Sequence, residues 1–234
     1  MKLYKLTDPD MQTYNGFQWE LNVKRTASGA SNKPCSDGVL HAYADPRLAI
    51  IFNSIHANLK YPRLFEVYTD TYIGTDGLKW WSKSQILVKE LELPNITINQ
   101  KVEFAIRISL VYYKDEGYTK WADDWIKNID RTEDAAIAAA DAAAKAAAAY
   151  DNDAYAAAYA ANAANIAAYA AANAAKTAAY AAAEDAAAYA AAVDNTVAYA
   201  TDAAAKAAAA VNATNTIITS KFIQILNDMN VTYE

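Results

Sequence analysis

The residues able to do chemistry gather in one stretch of this chain, "CSDGVLHAYADP" (35–46). It holds the single cysteine, Cys35, one of the two histidines, His41, and Tyr43 two residues on. The second histidine, His56, lies in "FNSIHANLK". A thiolate and an imidazole so close could share a metal, but a Cys35–His41 pair lacks the further soft and imidazole ligands of a zinc site. No metal is therefore expected. No P-loop, GxGxxG, GxSxG or HExxH is present. The carboxylate pairs Asp115/Glu116 and Asp123/Asp124 are adjacent in sequence, so they do not share a helix face and read as solvated surface. His41 is expected on a short strand as a half-buried imidazole whose hydrogen bonds are met.

The elements that must position these residues belong to the front of the chain. All 6 glycines and all 5 prolines lie within residues 1–117, and the large core formers lie mostly before 130 and again after 210. The sequence predicts strands at "LYKLT" (3–7), "GFQWELNVK" (16–24), "VLHAYA" (39–44), "RLFEVYT" (63–69) and "SQILVKELEL" (84–93), with a loop over 28–38 and a turn at "TDG" (75–77). "DPRLAIIFNSIH" (45–56) reads as a helix with Asp45 at its N-cap and Pro46 at the first helical position. Helices are also expected over 97–113 and 118–129, the latter with Trp121, Trp125 and Ile129 on one face.

Charge divides with composition. Residues 1–130 carry 16 basic and 16 acidic side chains, whereas residues 131–234 carry 5 and 11. With no basic stripe, nucleic acid is not expected as a partner. No apolar run of spanning length escapes Asp, Asn, Lys or Glu, so no membrane contact is expected. "MKLYKLTDPDMQ" lacks the apolar region of a signal peptide, and the lone cysteine agrees with a reducing compartment. A cytoplasmic protein is the expectation.

From Asp130, whose spacing to Glu133 suggests a capping box, the chain is mostly alanine up to about 214. Alanine loses no side-chain entropy on entering a helix and is the best helix former. "YDNDA" (150–154) and "VDNTV" (193–197) cluster cap-forming residues, and "AEDA" (183–186) does so more weakly. Breaks at the first two predict helices of roughly 130–150, 153–192 and 196–230, folded back as an antiparallel bundle. Tyr155, Tyr159, Asn162, Ile166, Tyr169, Asn173, Lys176 and Tyr180 alternate 4 and 3 residues apart, the spacing of a coiled-coil seam. Asparagine and lysine are costly in a dry seam, which favours alanine inward and this stripe outward. Tyr155, Tyr159, Tyr169 and Tyr180 would then form an interaction face. "DAAAKAAAA" recurs identically at 141–149 and 202–210, a mark of tandem growth. Ile218, Phe222 and Ile225 restore an ordinary apolar stripe near the end, suited to docking on the front domain or on another copy.

"GFQWELNVK" (16–24), "CSDGVLHAYADP" (35–46), "RLFEVYTDTYIG" (63–74) and "ILVKELEL" (86–93), in that order, resemble an uncharacterised domain of phage and bacterial proteins. Its pattern is a GFQ-aromatic strand, a Cys-x-x-Gly-x-His loop, a helix started by Pro, an FEV strand and an I-V-x-E-L strand. The match covers residues 3–93. It departs by an inserted residue in "SDGVLH" and by Ala42 or Tyr43 where a cysteine commonly follows the histidine. The resemblance implies phage association and no established activity. The order of strand, Asp-Pro helix and Arg-x-x-Glu-Val strand is also similar to small ADP-ribosyltransferase-like folds. That similarity would give His41, Tyr43 and Glu90 roles towards NAD.

These readings define an α+β chain. A small mixed β-sheet domain (1–95) is followed by a helical connector (96–130) and an alanine-rich antiparallel helical bundle (131–234). The expected function is a non-enzymatic phage-associated interaction protein, with counter-defence a natural setting. Trp19, Cys35, His41 and Tyr43 would bind a small molecule or host protein without a cofactor. The bundle would supply rigid geometry or self-association as a homo-oligomer. An NAD- or nucleotide-binding enzyme is the alternative.

Overall fold

A computed structural model of the chain describes residues 2–149, 155–179, 185–210, 215–231 and 233. The fold is α+β and divides into two compact units. One comprises Met1–Asn95, Asn215–Ile223 and Thr232–Glu234; the other comprises Ile96–Thr214 and Gln224–Val231.

The described residues of the first unit form nine strands: β1 (Lys2–Thr7), β2 (Gln12–Thr13), β3 (Phe17–Gln18), β4 (Lys24–Thr26), β5 (Leu40–Tyr43), β6 (Arg63–Tyr68), β7 (Tyr72–Thr75), β8 (Lys79–Ser82) and β9 (Ser84–Leu91). Seven form one sheet in the order β4-β9-β6-β1-β5-β8-β7, and β2 pairs with β3. Every named pair is antiparallel, so the sheet is larger than expected and not mixed. β1 lies along β6 over six residue pairs, from Lys2↔Tyr68 to Thr7↔Arg63. Leu3, Trp19, Leu40, Ala42, Phe65, Val67 and Leu87 form the buried cluster of this unit.

Between β5 and β6 stand α1 (Pro46–Ile51) and α2 (Asn53–His56). Asp45 caps α1 as expected, accepting from the Arg47 amide at 2.8 Å. It also receives the buried Arg47 guanidinium at 2.9 and 2.6 Å, which offsets the burial of both charges. The strand expected over 16–24 is not continuous. Asn22 takes a left-handed conformation (φ 62°), which ends extended pairing, and Leu21 makes only an isolated bridge to Leu87. The short β7 and β8 were not legible, since β7 contains a glycine. Gly74 lets β7 approach Trp81, where a Cβ would come within 2.9 Å of the ring.

The second unit contains α3 (Ile98–Tyr112), α4 (Glu116–Ile126), α5 (Glu133–Ala149), α6 (Tyr155–Ala179) and α7 (Asp185–Ala210). Thr97 and Gln100 form a complete capping box at α3, and Asp115 caps α4. Trp121 and Trp125 are buried, but Ile129 lies past the helix end and is 68% exposed. The box expected at Asp130 is displaced. Asp130 accepts from the Thr132 amide and hydroxyl, and Thr132 accepts from Ala135 N–H.

α6 packs along both α5 and α7, and α3 packs on α6 and α7. Only five residues separate α5 from α6, and α6 from α7, so neighbours run antiparallel. Ala160, Ala161, Ala163, Ala164, Ala167, Ala168, Ala170 and Ala171 are buried, whereas Tyr159 and Tyr169 are 37% and 42% exposed. Alanine therefore faces inward. The expected break at 193–197 is absent, because α7 runs straight through it. Val193 and Val197 are buried there, Asp194 pairs with Lys101 of α3 at 2.6 Å, and Thr196 bonds back to the Ala192 carbonyl. These contacts outweigh the capping preference of the cluster. Of the weaker candidate, 183–186, the first two residues lie outside the described residues and Asp185 is already in α7. The break expected at 150–154 lies outside the described residues. No described helix is long and apolar enough to cross a membrane.

The last helix, α8 (Asn215–Asp228), buries Ile218, Phe222, Ile225 and Leu226. Its residues 215–223 belong to the sheet unit, where the Thr219 hydroxyl donates to the Gly77 carbonyl.

Candidate functional site

β1 and β5 are neighbours in the sheet, yet they are in register at Tyr4↔Tyr43 alone. Next to this single pair lies a cleft of about 660 Å³ lined by residues of both strands. Lys5 of β1 and His41 and Tyr43 of β5 line it, with Cys35 from the preceding loop, His56 from α2 and Lys79 from β8. All belong to the sheet unit.

Lys5 is the most unusual of them. In β1, Leu3 and Lys5 point to the same, buried face. Lys5 is only 7% exposed, its ammonium donates to the His41 carbonyl, and it lies 4.8 Å from the centre of the Trp19 ring. Burial lowers its pKa to about 7. Trp19 is itself buried and donates its indole N–H to Thr13 Oγ1 at 3.0 Å. It thus backs the cleft behind Lys5 rather than lining it.

His41 Nε2 accepts from the Cys35 amide at 3.2 Å, so the lone pair a metal or a substrate proton would need is already used. Burial, and then the positive charges of Lys5 and Lys79, lower the His41 pKa to about 4, with Asp76 opposing. His41 is therefore neutral through the physiological range. The Tyr43 hydroxyl and His56 Nδ1 are 2.6 Å apart. Burial pushes the Tyr43 phenol well above its ordinary range, so it stays protonated and can donate. Phe52 stacks on His56 at 4.9 Å between ring centres.

The loop carrying Cys35 is held from outside the cleft. Lys83, in the turn from β8 to β9, donates to the carbonyls of Ser31 at 2.9 Å and Gly38 at 2.8 Å, and more weakly to Gly29 and Ala30. Gly38 is needed for this closure, since a Cβ would fall 2.0 Å from the Ser31 carbonyl. Cys35 is exposed, with left-handed backbone (φ 58°), and Lys79 Nζ lies 3.8 Å from its sulfur.

Of the four residues expected to bind, Cys35, His41 and Tyr43 come together and Trp19 stands behind them. Lys5, His56 and Lys79 were not anticipated. Lys5 left a trace in the sequence, as a cation at a position that alternation assigns to the core face, and His56 stood out as the second histidine. Glu90 is not brought to the cleft, because it is held by Arg63 at 2.8 and 2.6 Å. On the helices, Tyr159 and Tyr169 are exposed, the Tyr155 side chain is not among those described, and Tyr180 lies outside the described residues. Among the described residues, no group of three or more His, Cys, Asp or Glu could hold a metal ion. No family model, no curated protein and no solved structure matches this chain.

Proposed function

We propose that this chain is a non-enzymatic binding protein whose sheet unit takes a small molecule in the Lys5–His41–Tyr43 cleft. One observation carries this reading: a cleft of about 660 Å³, the size of ordinary ligand sites, whose candidate catalytic groups are already engaged. His41 Nε2 holds the Cys35 amide, and the Tyr43 hydroxyl is committed to His56. With His41 held neutral and Tyr43 protonated, these groups fix the shape and polarity of the pocket. The resemblance of residues 3–93 to a phage-borne domain supports a phage setting, with counter-defence as its use and the host cytosol as its location. In that setting a host protein is the other occupant to consider. The alanine-packed helices serve as a stiff support, with Tyr159 and Tyr169 exposed on their surface.

Native mass spectrometry of the full chain purified from bacterial lysate tests this. A discrete mass excess that disappears on denaturation, and is absent in Tyr43→Ala, is the expected result. A co-purifying host protein would replace the small molecule, and a bare chain from repeated preparations would overturn the reading. NAD turnover lost in His41→Ala but kept in Ala170→Pro would instead establish the enzyme.

A further inference from the structure

Lys5 is a buried amine that has no counter-ion among the described residues. It is more than nine-tenths buried, it lines the cleft, and among the described residues no carboxylate pairs with it. An ammonium carries three donors, and the described acceptor is the single His41 carbonyl. Lys79 lines the same cleft, and its Nζ forms a loose ion pair with Asp76 at 3.8 Å. Among the described residues, Asp37 is the only carboxylate lining the cleft. Burying an unpaired charge is costly, and a site holding one is complementary to the opposite sign.

We propose that the cleft is built for a small ligand bearing a carboxylate or phosphate group, which seats on the Lys5 ammonium with Lys79 alongside. The proposal rests on the cleft being the ligand site. The ligand's negative group supplies the missing acceptors and the missing counter-charge to Lys5. The His41 imidazole carries the imprint of this arrangement, since both lysines oppose its protonation. The remaining volume, between Phe17, Leu40 and Val39, accepts the uncharged body of the ligand.

The test uses the full chain and two matched probe pairs: benzoate with benzyl alcohol, and adenosine monophosphate with adenosine. The readout is the NMR indole N–H resonance of Trp19, which lies against Lys5 and bonds to Thr13 of the cleft. The anion of at least one pair is expected to bind saturably and at least tenfold more tightly than its neutral partner. The benzoate arm reports a carboxylate site, and the nucleotide arm a phosphate site. The preference is expected to vanish in Lys5→Met and to weaken severalfold in Lys79→Gln. The wild-type comparison stands alone if Lys5→Met misfolds. Neutral partners binding as tightly as the anions would overturn the proposal and leave the cleft reading intact. No saturable shift with any of the four would overturn both.

Discussion

Lys5 and His41 tie the stability of the sheet unit to pH. Both carry folded-state pKa values below their ordinary ones, about 7 against 10.5 for Lys5 and about 4 against 6.5 for His41. The unfolded chain therefore binds more protons over both windows, and stability rises with pH across them. Seen from alkaline pH, the Lys5 contribution is lost as pH falls from 10.5 through about 7, and the His41 contribution as pH falls from 6.5 through about 4. The charged groups facing them are Lys79, Asp76 and Asp37, with the Cys35 thiol and His56 nearby. Thermal melts without added anions should show a midpoint that climbs from pH 5 to pH 9. Lys5→Met should flatten the upper part of that climb and raise stability at pH 6 by ~1–3 kcal/mol, as removal of an uncompensated buried charge does. An unchanged slope in Lys5→Met would show that the ammonium is not the titrating group. Lys83 has the opposite character, since its donors are fully used by loop carbonyls. Lys83→Met should cost about 1–3 kcal/mol and accelerate hydrogen exchange over residues 28–38. Protection equal to wild type there would remove Lys83 as the element that shapes the cleft wall.

At the scale of elements, alanine is informative because it has no volume to spare. Ala164 and Ala200 are fully buried in α6 and α7. Ala164→Leu inserts three carbons into such a seam and should destabilise by about 1–3 kcal/mol, whereas Ala178→Leu on an exposed turn of α6 should stay within about 0.5 kcal/mol. Equal effects at the two sites in denaturant unfolding would mean that the alanine seam is not tightly packed. The same seam carries α7 through the cluster at 193–197. "VDNTV" has the residues of a cap, but Val193 and Val197 are needed inside and Asp194 finds Lys101. A local preference of a few tenths of a kcal/mol yields to such contacts. Asn165 likewise reaches across from α6 to the Ala140 carbonyl of α5 at 2.8 Å, a polar tie between two alanine faces.

For the whole molecule, the packing of α6 on α5, α7 and α3 uses up within one chain the alanine faces that could have drawn in a second. Light scattering should therefore return a mass near 25.4 kDa. A doubled mass that reverts in Tyr159→Ser, Tyr169→Ser would assign the exposed tyrosines to self-association and would replace the support role proposed for the helices. Ala170→Pro removes a helical hydrogen bond at a buried position and should cost about 3 kcal/mol or more. Far-ultraviolet circular dichroism at native temperature should show the loss as reduced helix or a lowered midpoint.

The sequence by itself determined what depends on neighbours along the chain. The helical state of α5, α6 and α7 follows from alanine propensity, the start of α1 from Asp45 and Pro46, the start of α3 from Thr97 and Gln100, and most strands from β-branched and aromatic alternation. The outward stripe of Tyr159 and Tyr169 was legible too, because the cost of burying Asn173 and Lys176 is local chemistry. Tertiary structure alone decided what depends on partners far away in sequence. It paired β1 with both β5 and β6, carried α7 through 193–197, and brought Lys5, His56 and Lys79 to the cleft beside His41. Lys5 and His41 are 36 residues apart, and nothing local fixes the meeting of their ammonium and carbonyl. It exists because β1 and β5 keep a single registered pair, a property of the sheet rather than of either strand.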